Sequence, residues 1–397
     1  MPIERRKMYK FPWSKADNPG AWIEVTDECD LFCPGCYRHR LQGHRDLEEV
    51  KSDVLLCHRL TNCGRISIAG GEPLIYPHIV EVVDFISRNK LQPVIFTNGH
   101  NLNKELAAEL KKAGLHQFFF HIDSRQKRPS WEGKSESDLN ELRQHYADMV
   151  WELGKVQSGI NVTLCRETLQ EIPSIIEWVQ SNIHKVQNVS LIALRGLALT
   201  AGKKYMVNGK VIDTSILQCV SVDEHEISIT SEEIHEAIEK QFPTSNPAAY
   251  LSGTAKTETY KFLIVLYLGS PQKTYGVVGA KSVELDTILF HLSHGRYSAG
   301  RENPKVGKKI FFLSILDKEI RKAFGRYLRE ILRNPIRLFD KIYVQCINIQ
   351  QPNEMLDGEI NLCDGCLNQM IHQGELIPSC KLDEYRLFGG PIVEISD

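Results

Sequence analysis

Between residues 20 and 195, short β-type runs alternate with helical patterns through six units. Strands are expected at Trp22–Val25, Ile66–Ala69, Val94–Thr97, Phe118–Ile122, Ile160–Leu164 and Val189–Leu194, with helices near 44–60, 78–90, 103–113, 136–152 and 167–184. A strand–helix repeat of this kind pairs its strands in parallel through right-handed crossovers. Six units make an α/β fold of partial TIM-type barrel form, (β/α)6, open on one side. Ligands of parallel barrels sit at the carboxyl ends of the strands. The residues that follow each strand are therefore site candidates.

The first strand leads into CDLFCPGC, which spaces Cys29, Cys33 and Cys36 as C-x3-C-x2-C. Thiolates are soft ligands suited to an iron–sulfur cluster or to zinc. A cubane takes four ligands, so three thiols in one short loop would leave an iron for something else. Zinc would need a fourth ligand close by, for which His39 is the candidate, and three unrelated buried thiols are the plainer alternative. The second strand runs into IAGGEPLIYP. Gly70 and Gly71 permit a positive φ and close approach of a ligand. Glu72 offers an acceptor to a charged amine, and Pro73 stiffens the exit.

Together the cysteine loop and the GGEP turn resemble the signature of the radical S-adenosylmethionine (SAM) superfamily. The resemblance implies that Cys29, Cys33 and Cys36 are the catalytic cysteines holding a [4Fe-4S] cluster. SAM's amino and carboxylate groups would chelate the fourth iron, with Gly70, Gly71 and Glu72 on the amino group. It also implies an enzyme that reductively cleaves SAM to methionine and a 5′-deoxyadenosyl radical, fed by a flavodoxin- or ferredoxin-type electron donor. That radical would abstract hydrogen from an organic substrate or add to it. One departure is Gly35, at a position often aromatic in the family, which affects an adenine-side contact. The remaining strand ends supply Asn98, Asp123 with Ser124, Asn161 with Thr163, and Arg195 as SAM or substrate contacts; each is also explicable as a polar residue closing a strand. Asp123 suits a ribose hydroxyl and Arg195 a carboxylate. His121, in the apolar string FFFHIDS, is costly there unless hydrogen-bonded.

A second cysteine group occupies LCDGCLNQMIHQGELIPSC, spaced Cys363-x2-Cys366-x13-Cys380. Gln373-Gly374 reads as a hairpin turn that returns Cys380 to the other two. The spacing resembles the auxiliary-cluster segment of the GTP cyclase family of molybdenum-cofactor biosynthesis, and more broadly the twitch and SPASM segments. That resemblance implies a second, auxiliary [4Fe-4S] cluster for electron transfer or substrate anchoring. Cys346 is the candidate fourth ligand, and structural zinc is the alternative. Cys57, Cys63, Cys165 and Cys219 lack ligand spacing and read as small buried hydrophobes.

The expected organisation is a core over 1–196, an α+β insertion over 197–345 related to substrate, and a small iron–sulfur segment over 346–397. Within the insertion Lys261–Leu268 reads as a buried strand, 269–276 as a turn-rich loop, and 317–342 as a helix that Pro335 ends or kinks. That helix sets basic residues beside an apolar stripe. Such a helix packs on a core or lies on an anionic membrane surface. The 48 basic and 50 acidic residues nearly balance, so nothing argues for nucleic acid. Eleven cysteines and a charged start without an apolar run suggest a reducing, cytoplasmic setting, with membrane association left open.

The SIAGGEPLIYP and HID stretches are also similar to the adenosylhopane synthase family, which acts on an apolar lipid. With the basic helix and the long insertion, this leads to a small-molecule substrate, a lipid or natural-product intermediate. The chain ends without the Gly-Gly tail of the cyclase family, whose own reaction is therefore not expected. A peptide-modifying SPASM-type maturase remains an alternative, though no leader-peptide domain is visible. So does a non-catalytic iron–sulfur binding or redox-sensing protein.

Overall fold

A computed structural model describes residues 3–31, 33, 36, 38–39, 43–126, 128–194, 204–216, 229–299, 305–356 and 359–395. The expected strands are present as β1 (Gly20–Thr26), β2 (Arg65–Gly70), β3 (Gln92–Thr97), β4 (Gln117–His121), β5 (Gln157–Leu164) and β6 (Asn188–Ala193). They lie side by side in chain order, every pair parallel. Helices α1 (Leu47–Thr61), α2 (Ile79–Arg88), α3 (Lys104–Lys112), α4 (Asn140–Leu153) and α5 (Ile172–Ser181) fill the crossovers. Local chemistry sets their ends. Asp46 caps α1 by accepting from the amides of Glu48 and Glu49 at 2.9 and 3.1 Å, and Asn62 closes it in the left-handed region.

Strand alternation divides the core from the site. On β2, Ile66 and Ile68 join Val82 and Ile86 of α2 in the layer between sheet and helices. Arg65, Ser67 and Ala69 face the other way and line an internal cavity of about 980 Å³. Both faces of a parallel strand are thus covered, one by helices and one by its own barrel.

The sheet continues beyond β6. In the later chain, β7 (Ala249–Ser252), β8 (Tyr260–Ser270), β9 (Lys273–Val277) and β10 (Tyr343–Gln350) join it. β10 pairs parallel to β6, β8 antiparallel to β10, and β7 antiparallel to β8. The residues expected as a loop over 269–276 are mostly strand. β9 pairs with β8, and the turn is confined to residues 270–273. Buried Tyr275 and Val277 explain this, because the β9 side chains have a core to enter that a local reading does not reveal. Helices α6 (Ser231–Gln241), α7 (Ala280–His294) and α8 (Lys318–Arg333) accompany these strands. α8 stops at Asn334, because Pro335 has no amide to donate; a short 3-10 turn, Pro335–Phe339, follows.

The C-terminal segment joins the two edges of the curled sheet. Cys363 bridges to Gly253, just beyond β7. Asn18, just ahead of β1, donates to the Cys366 carbonyl at 2.9 Å. β11 (Gln369–His372) and β12 (Glu375–Pro378) form the expected hairpin. Gln373 and Gly374 both have positive φ, 49° and 84°, the geometry of a two-residue hairpin turn. Met370 and Ile377 of the hairpin cluster with Trp22 of β1.

Candidate active site

Cys29, Cys33 and Cys36 line the cavity at the carboxyl ends of the parallel strands, beside Gly70 and Gly71. Cys29 and Cys33 are half-buried and Cys36 is exposed. Burial, then the neighbouring Cys36, Asp123 and Cys29, pushes the Cys33 thiol up to about 12. The three sulfurs therefore share one neighbourhood. Among the described residues, no three Cys, His, Asp or Glu side chains converge on a single ion position. A cubane binds each thiolate through a different iron, so its ligands need not meet at a point. Three soft donors on one wall of a cavity fit such a cluster. His39, the alternative zinc ligand, lines the same cavity.

The two glycines are demanded by the chain's own backbone. A Cβ on Gly70 would lie 2.1 Å from the Thr26 carbonyl oxygen, and one on Gly71 would lie 2.1 Å from that of Glu28. The Gly71 amide donates to Thr26 at 2.7 Å and the Glu72 amide to Glu28 at 2.8 Å. The GGE turn is thus stitched to the exit of β1, the segment that launches the cysteine loop.

Glu72 is fully buried, and its side chain is not on the cavity wall. Its carboxylate accepts from the Thr97 hydroxyl at 2.6 Å, the Asn98 amide at 2.7 Å and the Leu74 amide at 2.9 Å. Burial raises its pKa to about 7, against the pull of those donors. The acceptor expected to meet a ligand amine thus already holds three of the protein's own donors.

Asn98 does line the cavity, and its side-chain amide donates to Asp30 at 2.7 Å. Asn101 donates to the other Asp30 oxygen at 2.7 Å, so the residue after Cys29 is pinned to the exit of β3. Asp123 and Asn161 also line the cavity. Asp123 pairs with His121 at 2.6 Å and accepts from the Thr163 amide at 3.1 Å. Burial works to raise the Asp123 carboxyl, but His121 and the Thr163 donors outweigh it and hold it below its ordinary value. The His121 in the apolar strand is therefore hydrogen-bonded. Ser124 lies off the cavity wall, its amide donating to Glu136 at 2.7 Å. Glu136 is itself held by Arg143 in a fully buried ion pair. Gly35, Arg195 and Cys219 fall outside the described residues.

Cys363, Cys366 and Cys380 line the same cavity and lie together. A hydrogen bond with Cys366, then burial and the charges of Cys366 and Cys380, raises the Cys363 thiol well above its usual value. The hairpin delivers Cys380, and the Ser379 amide is anchored on the Asn368 carbonyl at 2.8 Å. The fold does not bring Cys346 to these three. Cys346 faces Leu266 in β8, whereas Gln350, four residues further along β10, faces Phe262. That offset is roughly 13 Å along the strand, and Cys363 lies beyond β7, two strands across. Cys346 instead neighbours Arg65. Spacing in sequence placed it with the cluster; strand register separates it. Cys57, Cys63 and Cys165 are buried as expected.

Sequence reasoning missed the residues that couple the two cysteine segments. Arg38, two positions past Cys36, pairs with Glu24 of β1 and with Asp383 at 3.3 Å, and donates to the Ser379 carbonyl at 3.1 Å. Arg386 pairs with Asp27 at 2.9 Å, both buried. No local pattern signals the contacts of Arg38 with Asp383 and Ser379 or of Arg386 with Asp27, because each spans most of the chain.

Residues 23–179 match the radical SAM superfamily. The probable GTP 3′,8-cyclase of Pyrococcus abyssi is 36% identical over 105 residues, which are 26% of this chain and 34% of that protein. The Fe-coproporphyrin III synthase of Methanosarcina barkeri is 24% identical over 178 residues, 42% of each chain. This chain therefore spans about a third of the length of the first relative and under half of the second. Among solved structures, Streptococcus suis SuiB bound to precursor peptide SuiA aligns at 15% identity and a TM-score of 0.42, over 57% of this chain and 45% of that one.

Proposed function

We propose, from the premise that this chain carries a radical SAM superfamily domain, that it is an enzyme performing SAM-dependent radical chemistry on a small, largely apolar molecule held inside its barrel. The observation that carries this reading is that both cysteine groups and the Gly70-Gly71 turn line one cavity. Cys29, Cys33 and Cys36 would hold the SAM-binding [4Fe-4S] cluster, and Cys363, Cys366 and Cys380 an auxiliary one. When bound, the first cluster and SAM supply one-electron reductive cleavage and hydrogen abstraction from an unactivated C–H bond. A flavodoxin- or ferredoxin-type donor is the proposed source of the electron. The chain's own part is to bind, orient and exclude water. Asp30, Asn98 and Glu72 hold the cysteine loop against the ends of β2 and β3. Trp22 packs tilted against Phe96 and Phe96 stacks on Phe119, with centroids 4.9 and 4.7 Å apart. They face Phe262, Ile264 and Leu266 across the cavity. Such walls suit an apolar body such as a lipid or natural-product intermediate.

A specific surface feature supports peripheral membrane contact. Phe312, Ile315, Leu332, Ile336 and Phe339 are exposed at 78%, 77%, 85%, 73% and 81%. Exposed Lys318, Arg321, Lys322, Arg329 and Arg333 lie along α8 beside them. An apolar ridge flanked by cations matches an anionic bilayer. Among the described residues no helix is long and apolar enough to cross a membrane. Nearby, α7 turns Val283 and Phe290 to the cavity and leaves Ile288, Leu289 and Leu292 exposed.

The test is anaerobic reconstitution with iron and sulfide, followed by SAM and dithionite. Release of 5′-deoxyadenosine and methionine supports the enzyme. A protein that binds iron but yields neither is a non-catalytic iron–sulfur protein, and the proposal fails.

A further inference from the structure

Arg65 opens β2 at the end of the cavity away from Gly70, and its side chain lines that cavity. It is only 9% exposed, and its Nε has no hydrogen-bond partner. Among the described residues no carboxylate pairs with it; the titratable groups beside it are the thiol of Cys346 and the ring of His116, and neither is a carboxylate. A thiol is ordinarily neutral at pH 7, whereas a guanidinium keeps its charge.

Arg125, just past β4 at the carboxyl end of the barrel, also lines the cavity and touches the Cys165 thiol at 3.9 Å. It stands at the Cys29 end, and Arg38, Asp27 and Asp123 are committed elsewhere. Arg38 has both Glu24 and Asp383. Asp27 has Arg386, and Asp123 has His121. Asp286 lies on the exposed part of α7. A buried cation without a counter-ion is strongly disfavoured, and natural proteins pair such groups or use them on a ligand. The planar fork of Arg matches an oxyanion with two parallel hydrogen bonds.

The position also sets a length. β2 runs from Arg65 to Gly70, six residues, and the five steps between its ends span roughly 16 Å at strand rise. The aromatic wall of Trp22, Phe96 and Phe119 lies on the neighbouring strands of the same interior. We propose that Arg65 is the anion seat of the substrate site, and that the substrate carries a carboxylate or phosphate at one end of an apolar body whose other end reaches the Cys29–Cys33–Cys36 end of the barrel. This deepens the preceding reading, since the seat and the SAM end share one cavity.

The test uses simple amphiphiles on the anaerobic holoprotein: octanoate, octyl phosphate and octanol, titrated calorimetrically below their aggregation limits. Octanoate or octyl phosphate should bind at least about tenfold more tightly than octanol, the scale of one charge-assisted contact. Whichever is tighter identifies the oxyanion. Arg65→Met, which keeps the apolar stem, should erase the preference, and Arg65→Lys should retain part of it. Equal affinity of wild type for octanol and the anions overturns the seat, and so does a preference that survives in Arg65→Met. If Arg65→Met does not fold, the wild-type comparison and Arg65→Lys still decide. Wild-type protein that discriminates the anions but forms no 5′-deoxyadenosine keeps the seat and sinks the enzyme reading. Wild-type protein that forms it without discriminating sinks the seat alone.

Discussion

The Glu72 carboxylate accepts the backbone amide of Asn98 at 2.7 Å, tying the turn after β2 to the turn after β3. With the Thr97 and Leu74 donors it forms a three-point clasp beneath the cavity floor. Glu72→Ala leaves all three buried donors without an acceptor, at about 1–3 kcal/mol each. Chemical denaturation should show a loss of about 3 kcal/mol or more, and SAM titration about tenfold weaker binding as the two turns come apart. Glu72→Gln keeps an acceptor and should lose less of both. A variant with full stability but no SAM affinity would instead make Glu72 a direct ligand contact.

The two cysteine groups should behave as separate iron sites. The Cys29, Cys33, Cys36 triple Ala variant should lose about four irons and all 5′-deoxyadenosine formation, while the C-terminal site keeps its iron. Cys363→Ala should remove the second set of about four irons and leave part of the SAM cleavage. Cys346→Ala should keep the iron of both, because strand register sets it apart from Cys363. Iron analysis and EPR decide. Zinc in place of the second cluster's iron would overturn the auxiliary assignment, and iron loss in Cys346→Ala would overturn the separation.

His116 is half-buried just before β4, and burial, then the charge of Arg65, lowers its pKa to about 4 from 6.5. The fold thus favours the neutral ring. Its stabilising effect is fully present above pH 6.5 and is lost as pH falls from there through 4. Wild type should lose stability over that window more steeply than His116→Gln. In Arg65→Met the His116 resonance should titrate at higher pH. An unchanged His116 titration there would show that Arg65 does not act on it.

The exposed ridge around α8 should bind vesicles containing about 30% phosphatidylglycerol in phosphatidylcholine, more weakly at higher salt. Leu332→Asp with Phe339→Asp should abolish flotation with those vesicles without changing iron content. Equal flotation of wild type with neutral vesicles, or none with either kind, would remove the membrane reading.

Much of the barrel is legible because it is written in short periods. Ile66 and Ile68 against Arg65, Ser67 and Ala69 set both the strand and its two faces. The Gln373-Gly374 turn likewise announces the hairpin that returns Cys380. The β9 strand was hidden behind Pro271, since its stability comes from a distant core that buries Tyr275. The glycines of the GGE turn are legible as points of close approach, and the approach the structure shows is to Thr26 and Glu28.

By itself, then, the sequence determined the six parallel strands, the cysteine loop at the exit of the first, and the hairpin thiols at the far end of the chain. Those features depend on neighbours a few residues apart. Only the tertiary structure decided that β7, β8 and β10 extend the sheet, that Arg38 and Arg386 lock the C-terminal segment to β1, that Cys346 stands with Arg65, and that Arg65 has no carboxylate among the described residues. Each depends on how far the sheet curls before its edges are joined. That curl sums many small strand twists, and no short window of sequence contains the sum.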